Sequence, residues 1–581
     1  MTRYRTVLAG FLLATGAAAA RGQSLSYDQF APKPIPPVPT SPVNLPPSTN
    51  PVPGAPDEMI LPLLRGLAFV ARPEDVAIHG STVTEGIWLA EGLLVPNPVQ
   101  FRAMVAPYLQ RPLSRGKLNE LITAIIIHYR NHDRPVVDVI VPQQDINSGV
   151  VQVLLLESRI GSITVAGNHW FSSEEIRRKF RGQSGDRISA TGMRADLEWA
   201  NQNPFHTSDI VYQPGKTVGS TDIVLQTVDR FPARFYVGYE DSGNSQTGFD
   251  RYLAGVNWGD AWHAGLGQQL NYQYTTSRDL SGLRAHAGSY VIPLPWWHNT
   301  LTFLGSDVRT KGLVPPVISL KGHSYQLSGR YSIPLRLIGE LRHSVGLGFD
   351  YKYNRNSLQF GDIPLSTRPV EVKQFVLTYD ASLRDARGVT SLGFQGYYSP
   401  GNWGSHNQDE AFSQSHTLAT STYHYFNLTL ARLTRLPYNW SLFLRGMLQV
   451  SDRNLTPSEQ FGLGGNDTVR GYDEREVNSD EGYLANVELR TPVISLGQKL
   501  GWTRSVDQLQ FLGFWDWGTG RNHTPLVGEP ASRDLSAVGI GLRDTITTHL
   551  SLRADYGFQQ VKSRVDSHHG GRGNIAIVLS Y

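Results

Sequence analysis

The sequence predicts a β-rich membrane protein, a 16-stranded antiparallel transmembrane β-barrel preceded by two small β-α-α-β-β domains. Three observations carry this expectation. Helical periodicity is confined to residues 60–230 and gives way after Phe231 to strand-length segments separated by turns. Those segments alternate apolar with polar or small residues, most cleanly at Leu550, Leu552, Ala554, Tyr556 and Phe558 and again at Ile575, Ile577, Leu579 and Tyr581. Composition agrees, since 57 Gly and 10% aromatics against 18% charged residues suit strands and turns better than a helical bundle.

The first 22 residues carry Arg3 and Arg5, an apolar run Val7–Leu13 and the small stretch Ala17–Ala20, the order of a secretory signal peptide. That apolar core is too short to span a bilayer, and no later stretch supplies about 20 uninterrupted apolar residues. An exported chain could use disulfides, yet it has 0 Cys, so stability has to come from burial or strand pairing. Residues 23–58 read as a spacer, because 11 of the 26 residues from Ala31 to Pro56 are Pro and cannot keep a helical ladder. At ~3.1 Å per residue it reaches roughly 80 Å, enough to cross a barrel lumen.

Residues 59–158 and 159–230 are expected to be the two small domains. In the first, Leu118, Leu121, Ile122, Ile125 and Tyr129 form one apolar helix face, followed by strands at Val136–Val141 and Val150–Leu156. The second opens with a strand at Ile160–Val165. Ser172 and Glu175 form a capping box, Met193, Leu197 and Ala200 mark a second helix, and Asn203-Pro204 stops it. Strands at Ile210–Tyr212 and Ile223–Thr227 complete the unit.

Residues 231–581 are expected to form the barrel, with 16 strand starts running from Arg234 through His323 and Val372 to Gly573. An even count lets the chain enter and leave on the same side. The even-to-odd connections are short and several are rimmed by Trp or Tyr, as a periplasmic interface would be. The longest odd-to-even connection, residues 451–482, would be the sixth outer loop.

That loop contains Gly464, Gly465 and then Val469-Arg470-Gly471-Tyr472, a Gly-rich approach that lets the backbone fold back and present one guanidinium at a fixed point. The strand carrying Phe514-Trp515-Asp516-Trp517-Gly518 places Leu509, Phe511, Trp515 and Trp517 toward lipid, so period 2 turns Asp516 into the lumen. Arg470 and Asp516 can meet only if the loop tucks into the barrel.

These two motifs resemble the loop-tip V-R-G-Y and the strand F-x-D-x-G of two-partner-secretion transporters of the haemolysin secretion/activation family (TpsB-type). Pro142-Gln143-Gln144-Asp145 with Gly149-Val150-Val151 resembles the end of that family's first polypeptide-transport-associated (POTRA) domain. Gly167-Asn168 and Asn203-Pro204-Phe205 resemble features of the second. Tyr239-Glu240-Asp241-Ser242-Gly243-Asn244 with Thr247-Gly248 resembles its first barrel hairpin. The resemblance implies a bacterial outer-membrane translocator with periplasmic POTRA domains that passes an unfolded exported polypeptide to the cell surface or medium. It implies that Arg470 pairs with Asp516 and that Val469, Arg470, Gly471, Tyr472, Phe514, Asp516 and Gly518 hold the loop in its working position. The expected surroundings are a lipid bilayer and lipopolysaccharide. Family members often begin with a helix that plugs the pore; here only Ser24–Phe30 precede the spacer, so a plug is not expected and the spacer becomes the candidate occupant of the lumen.

A net charge of +3 leaves no footprint for nucleic acid. No enzyme activity, metal or cofactor is expected. Gly215-Lys216-Thr217 lacks the earlier Gly of a phosphate-binding loop. His128 and His132 lie four apart but have Tyr129 where a metalloprotease needs Glu, and read as solvated surface histidines. His568 and His569 fall in the last outer loop. A passive porin and a barrel-assembly factor remain as alternatives, the first leaving the two small domains unexplained.

Overall fold

The computed structural model describes residues 27–35, 57–81, 83–244, 247–263, 265–314, 318–360, 363–501, 507–526, 530, 532–563 and 570–581. The signal-peptide stretch, most of the Pro-rich spacer, and His568 with His569 lie outside the described residues. The chain divides into two compact units, residues 38–230 and residues 1–37 with 231–581. One turn of helix, α1 (Tyr27–Phe30), comes first and belongs to the second of these.

In the unit of residues 38–230, β1 (Met59–Leu61) pairs with β4 (Leu113–Ser114). A four-stranded sheet follows the order β3 (Gly86–Leu89), β2 (Gly66–Val70), β6 (Val150–Glu157), β5 (Val137–Ile140). Helices α2 (Pro98–Val105) and α3 (Arg115–Asn131) lay Phe101, Val105, Leu121, Ile125 and Tyr129 on Phe69, Val151 and Val153. Asn97 and Ser114 start these helices by accepting the Gln100 and Lys117 amides. Strand β3, parallel to β2, is an insertion that makes the first domain more than a bare β-α-α-β-β unit.

His128 corrects an expectation. It is 5% exposed and its Nε2 donates to the Pro96 carbonyl at 2.7 Å. The buried stripe of α3 runs Leu121, Ile125, His128, Tyr129, and at that spacing the ring falls on the core face, where one carbonyl suffices to satisfy it.

The second domain is β7 (Arg159–Ala166), α4 (Ser173–Arg178), α5 (Ala190–Ala200), β8 (His206–Pro214) and β9 (Ser220–Asp229), with sheet order β7-β9-β8. Ser172 caps α4 by accepting the Glu175 amide at 3.1 Å. Asp133, just past α3, accepts from Ser189 Oγ and from the Thr191 amide, both at 2.6 Å, and so closes the start of α5. Gly215-Lys216-Thr217 lies in the turn between β8 and β9.

The remaining strands close into one antiparallel barrel of 16. The first eight are β10 (Ala233–Asn244), β11 (Gly248–Trp258), β12 (Gln269–Thr276), β13 (Leu283–Leu294), β14 (Asn299–Val314), β15 (Ile318–Pro334), β16 (Leu341–Phe360) and β17 (Ile363–Arg384). Then come β18 (Gly388–Pro400), β19 (Thr422–Arg435) and β20 (Ser441–Ser451). After a small hairpin of β21 (Phe461–Leu463) and β22 (Val477–Ser479), the wall resumes with β23 (Glu481–Arg490), β24 (Gln510–Arg521), β25 (Arg533–Ile546), β26 (Leu550–Gln559) and β27 (Gly571–Ser580). Closure is the pairing of β10 with β27, Val237 opposite Leu579. Strands β15 and β17 begin at Ile318 and Ile363, earlier than the expected His323 and Val372. They run on past the apolar band, where water replaces lipid and the alternation that marks a strand fades.

The wall is inside-out. On β24, Phe511 and Trp515 are exposed while Phe514 and Asp516 are buried. Trp296, Trp297 and Tyr438 stand exposed at short turns, as an interfacial girdle requires. The lumen is occupied at one side by α1. Tyr27 and Phe30 pack on Ala285, Ala287 and Val308. Gln273 Nε2 donates to the Phe30 carbonyl at 3.2 Å, the Lys33 amide donates to Tyr236 Oη at 3.0 Å, and Lys33 Nζ pairs with Glu240. No plug is expected from the sequence, yet this one turn stands in the lumen, and the first residues of the expected spacer enter with it through Lys33. A single turn suffices because inward side chains, not a helical ladder of its own, satisfy its backbone.

Candidate functional site

The chain between β20 and β23 is the longest outer connection, and β21 with β22 folds it into a hairpin. Phe461, Leu463, Val469, Tyr472 and Val477 are buried against Met447, Leu484, Leu535 and Ala537 of the wall. The loop therefore lies in the lumen with an apolar side of its own.

At its tip Arg470 is 3% exposed. Its Nε donates to Asp516 Oδ2 at 2.7 Å, a second guanidinium nitrogen to Oδ1 at 2.8 Å, and its backbone amide to Oδ2 at 3.1 Å. This fork-on-carboxylate geometry fixes direction as well as distance. The third nitrogen lies 2.8 Å from Glu488 Oε1 and 3.7 Å from Asp555 Oδ1. The guanidinium carbon sits 3.5 Å from the centre of the Phe514 ring, so a π face covers the charge that the carboxylates do not. Asn486, directly opposite Asp516 on β23, donates to Asp516 Oδ1 at 2.7 Å and to the Thr468 carbonyl at 2.8 Å.

The other motif residues seat the tip. Val469 is fully buried. Gly471 has φ +92°, and a Cβ there would meet the Gly557 carbonyl oxygen at 2.7 Å. Bare backbone on both partners is what lets the loop touch β26. Gln559 Nε2 donates to the Gly471 carbonyl at 2.7 Å. Tyr472 Oη donates to the Ser536 carbonyl at 2.8 Å. Gly518 leaves room for Leu463, whose Cδ2 would lie 2.8 Å from an added Cβ. All seven residues expected from sequence are thus brought to one place.

The opposite side of the lumen holds an anchor that sequence reasoning missed. Glu459, 0% exposed on the loop's ascending arm, receives Lys352 Nζ at 2.9 and 3.0 Å, Gln374 Nε2 at 3.0 Å and Tyr425 Oη at 2.7 Å. These partners come from β16, β17 and β19, which lie six, five and three strands around the wall from β24. Arg572 adds a third tie by pairing with Asp473. Period 2 on β23 would have flagged Asn486 and Glu488, which alternate with Val487 and Leu489. Nothing local marks Glu459, whose lysine lies 107 residues away.

Comparison with known proteins agrees with this geometry. The model of the haemolysin secretion/activation protein ShlB/FhaC/HecB family matches residues 219–543, and that of the ShlB-type POTRA domain matches residues 84–158. The heme/hemopexin transporter protein HuxB of Haemophilus influenzae (strain 86-028NP) is 24% identical over 457 residues, covering 75% of this chain and 76% of HuxB. The outer membrane transporter CdiB of Dickeya dadantii is 22% identical over 459 residues, 75% of this chain and 76% of CdiB. Among solved structures, CdiB from Escherichia coli superimposes with a TM-score of 0.71 at 16% identity, over 100% of this chain and 97% of that one. CdiB from Acinetobacter baumannii gives 0.61 at 16%, over 95% of each. A closed 16-stranded barrel behind two POTRA-like domains, with a family match across more than half its length, makes this chain a member of the haemolysin secretion/activation family, an outer-membrane secretion transporter whose POTRA domains lie in the periplasm.

Proposed function

We propose that the in-folded loop works on the export path only while Arg470 on Asp516 latches its tip in place, and that an unfolded exported polypeptide crosses the lumen as the rest of the loop shifts around that anchor. The observation that supports this most directly is the guanidinium itself, enclosed at 3% exposure and held by Asp516, Glu488 and the Phe514 ring. A loop so fixed lies where a polypeptide would have to pass. Breaking a buried ion pair costs about 3 to 5 kcal/mol, enough to keep the tip seated while the rest of the loop yields to a cargo segment.

Capture begins at the strand edges of the POTRA domains. Strand β5 bounds the first sheet and β8 the second, with Ile140 and Val211 exposed on them. An extended segment adds there by β-augmentation, which uses backbone hydrogen bonds and tolerates many side chains. Folding of the emerged cargo outside the cell drives the process as a ratchet. The cargo class is a partner polypeptide exported to the periplasm.

The test is co-expression of the full chain with a candidate exported partner, scoring that partner in the medium for wild type and Arg470→Ala. Secretion is expected to fall sharply with the barrel still folded by heat-modifiable mobility. Undiminished secretion by the variant would sink the latch. Undiminished secretion after deletion of residues 59–230 would sink capture by the POTRA domains and favour a passive porin.

A further inference from the structure

We infer that the outward face of β13–β16, at the outer edge of the bilayer, binds the phosphorylated headgroup of an outer-leaflet glycolipid. The inference rests on the outer-membrane placement and not on the latch. Across these four adjacent strands Arg284 stands opposite Arg309, Arg309 opposite His323 and His323 opposite Arg355. Two residues further out, Lys311 stands opposite Lys321.

The row faces lipid and not the lumen. Arg284, Arg309, Lys311, Lys321 and Arg355 are all exposed. They share strand parity with the exposed Phe303, Leu327 and Leu347, while the alternate residues Leu283, Ala285 and Val308 are buried inside against α1. Their height is set by the ladder. Arg284 is 10 residues from Leu294, the inner end of β13, and Arg309 is 10 residues from Asn299, the inner end of β14. At ~3.4 Å per residue and a tilt of about 40° that is about 25 Å, the thickness of the apolar band of an outer-membrane barrel. Directly beneath lie the aromatic rings of the outer girdle, His286 with Tyr274 at 4.9 Å and Tyr325 stacked on Tyr353 at 5.0 Å.

Like charges directly opposite one another oppose strand pairing, and this ladder has two such pairs, Arg284 with Arg309 and Lys311 with Lys321. One carboxylate sits among them, Asp307, 3.2 Å from Arg309 Nε and 2.7 Å from His323 Nε2. Among the described residues Arg284, Lys311, Lys321 and Arg355 enter no ion pair. The excess cation charge fits an anion with more than one charge, and guanidinium forks suit phosphate oxygens. A headgroup also brings acyl chains, which lie along the apolar rows below and hold the phosphates at the row. A free anion has no such tether. The secreted chain, travelling inside the barrel, does not meet this face.

The test uses the full chain in detergent and reads bound lipid by native mass spectrometry. The probes are bisphosphorylated lipid A, the same lipid stripped of its phosphates, phosphatidylglycerol and inorganic phosphate. The combined variant Arg284→Gln, Arg309→Gln, Arg355→Gln is set beside a charge-matched control, Arg65→Gln, Arg111→Gln, Arg115→Gln, on the other unit. At about 1 kcal/mol per cation the combined variant should bind bisphosphorylated lipid A on the order of a hundredfold more weakly, with the control unchanged. The dephosphorylated lipid should bind wild type and variant alike. Equal retention of lipid A by variant and control overturns the proposal. So does equal affinity for phosphatidylglycerol, which would mean a general anionic attraction, or for inorganic phosphate, which would mean an anion site with no lipid in it. A variant that keeps lipid but loses secretion reassigns the row to the cargo and overturns it too. Should the triple variant lose heat-modifiable folding, Arg309→Gln and Lys321→Gln alone are measured, each expected to weaken lipid A binding about fivefold.

Discussion

In the first POTRA domain Leu121, Ile125 and Tyr129 turn inward onto Phe69, Phe101 and Val153, and the interior is mostly hydrocarbon, with His128 bonded to a single carbonyl. In the barrel the inward row of β24 carries Asp516, that of β23 carries Asn486 and Glu488, and a loop supplies the arginine that joins them. Both regions obey the same side-chain periods, yet the solvent assignment is reversed, because one unit stands in water and the other in lipid. Apolar burial in the POTRA domain produces the fold. Strand pairing and lipid produce the barrel, which leaves its interior polar groups to hold a folded-in loop.

The largest expected effect breaks that comparison if it fails. Asp516→Ala should cost the loop about 3 to 5 kcal/mol of its seating. Limited proteolysis should then open the tip near Arg470, secretion should fall, and the heat-modifiable transition of the barrel should stay in place. A barrel that melts first would mean the lumen network is structural after all. Next, Leu121→Ala should destabilise the first POTRA domain by about 2 to 5 kcal/mol, seen as lost hydrogen-exchange protection in α3 and β6 of the full chain, with barrel strands unaffected.

Glu459→Gln sharpens the comparison within the lumen. It leaves the Lys352 ammonium without its anion and should loosen the ascending arm by about 1 to 3 kcal/mol, with exchange rising around Phe461 while the Arg470 end remains protected. Loss of protection at both ends would show one cooperative latch in place of two.

The smallest effect is pH-dependent and belongs to the POTRA unit. Burial, and after it the Lys179 ammonium 2.8 Å from Nε2, hold the His206 imidazole well below its usual range. The unfolded chain takes a proton near pH 6.5 that the folded domain refuses. Stability is therefore complete above about pH 6.5 and is lost as pH falls toward the folded value, at no more than about 1.4 kcal/mol per pH unit. Protection of β8 and β9, corrected for intrinsic exchange, should decline on acidification and do so less in His206→Gln. An equal decline in both assigns the effect elsewhere.

How much was legible follows from where each signal is written. The alternation at Leu550–Phe558 and its repeats reveal a strand count because lipid on one side demands it residue by residue. Asp516 was readable as inward from its Trp neighbours, whereas its pairing with Arg470 came from the family resemblance and not from the glycines before it. His128 was misread as a solvated surface histidine because it was weighed only with His132, when seven-residue spacing from Leu121 placed it in the core. The α1 segment was misread because Gln273 holds its last carbonyl and Tyr236 the Lys33 amide just after it, from hundreds of residues away, and nothing in its own composition marks this.

By itself, then, the sequence determined what each strand and helix is and which face it turns to lipid, water or the lumen, since those choices depend on neighbours two, three or four residues apart. Tertiary structure alone decided what meets inside the barrel. Glu459 reaches Lys352, and cations of four adjacent strands stand side by side on the outward face, because closing the strands at a particular stagger brings distant positions together. Local periodicity carries no record of that stagger.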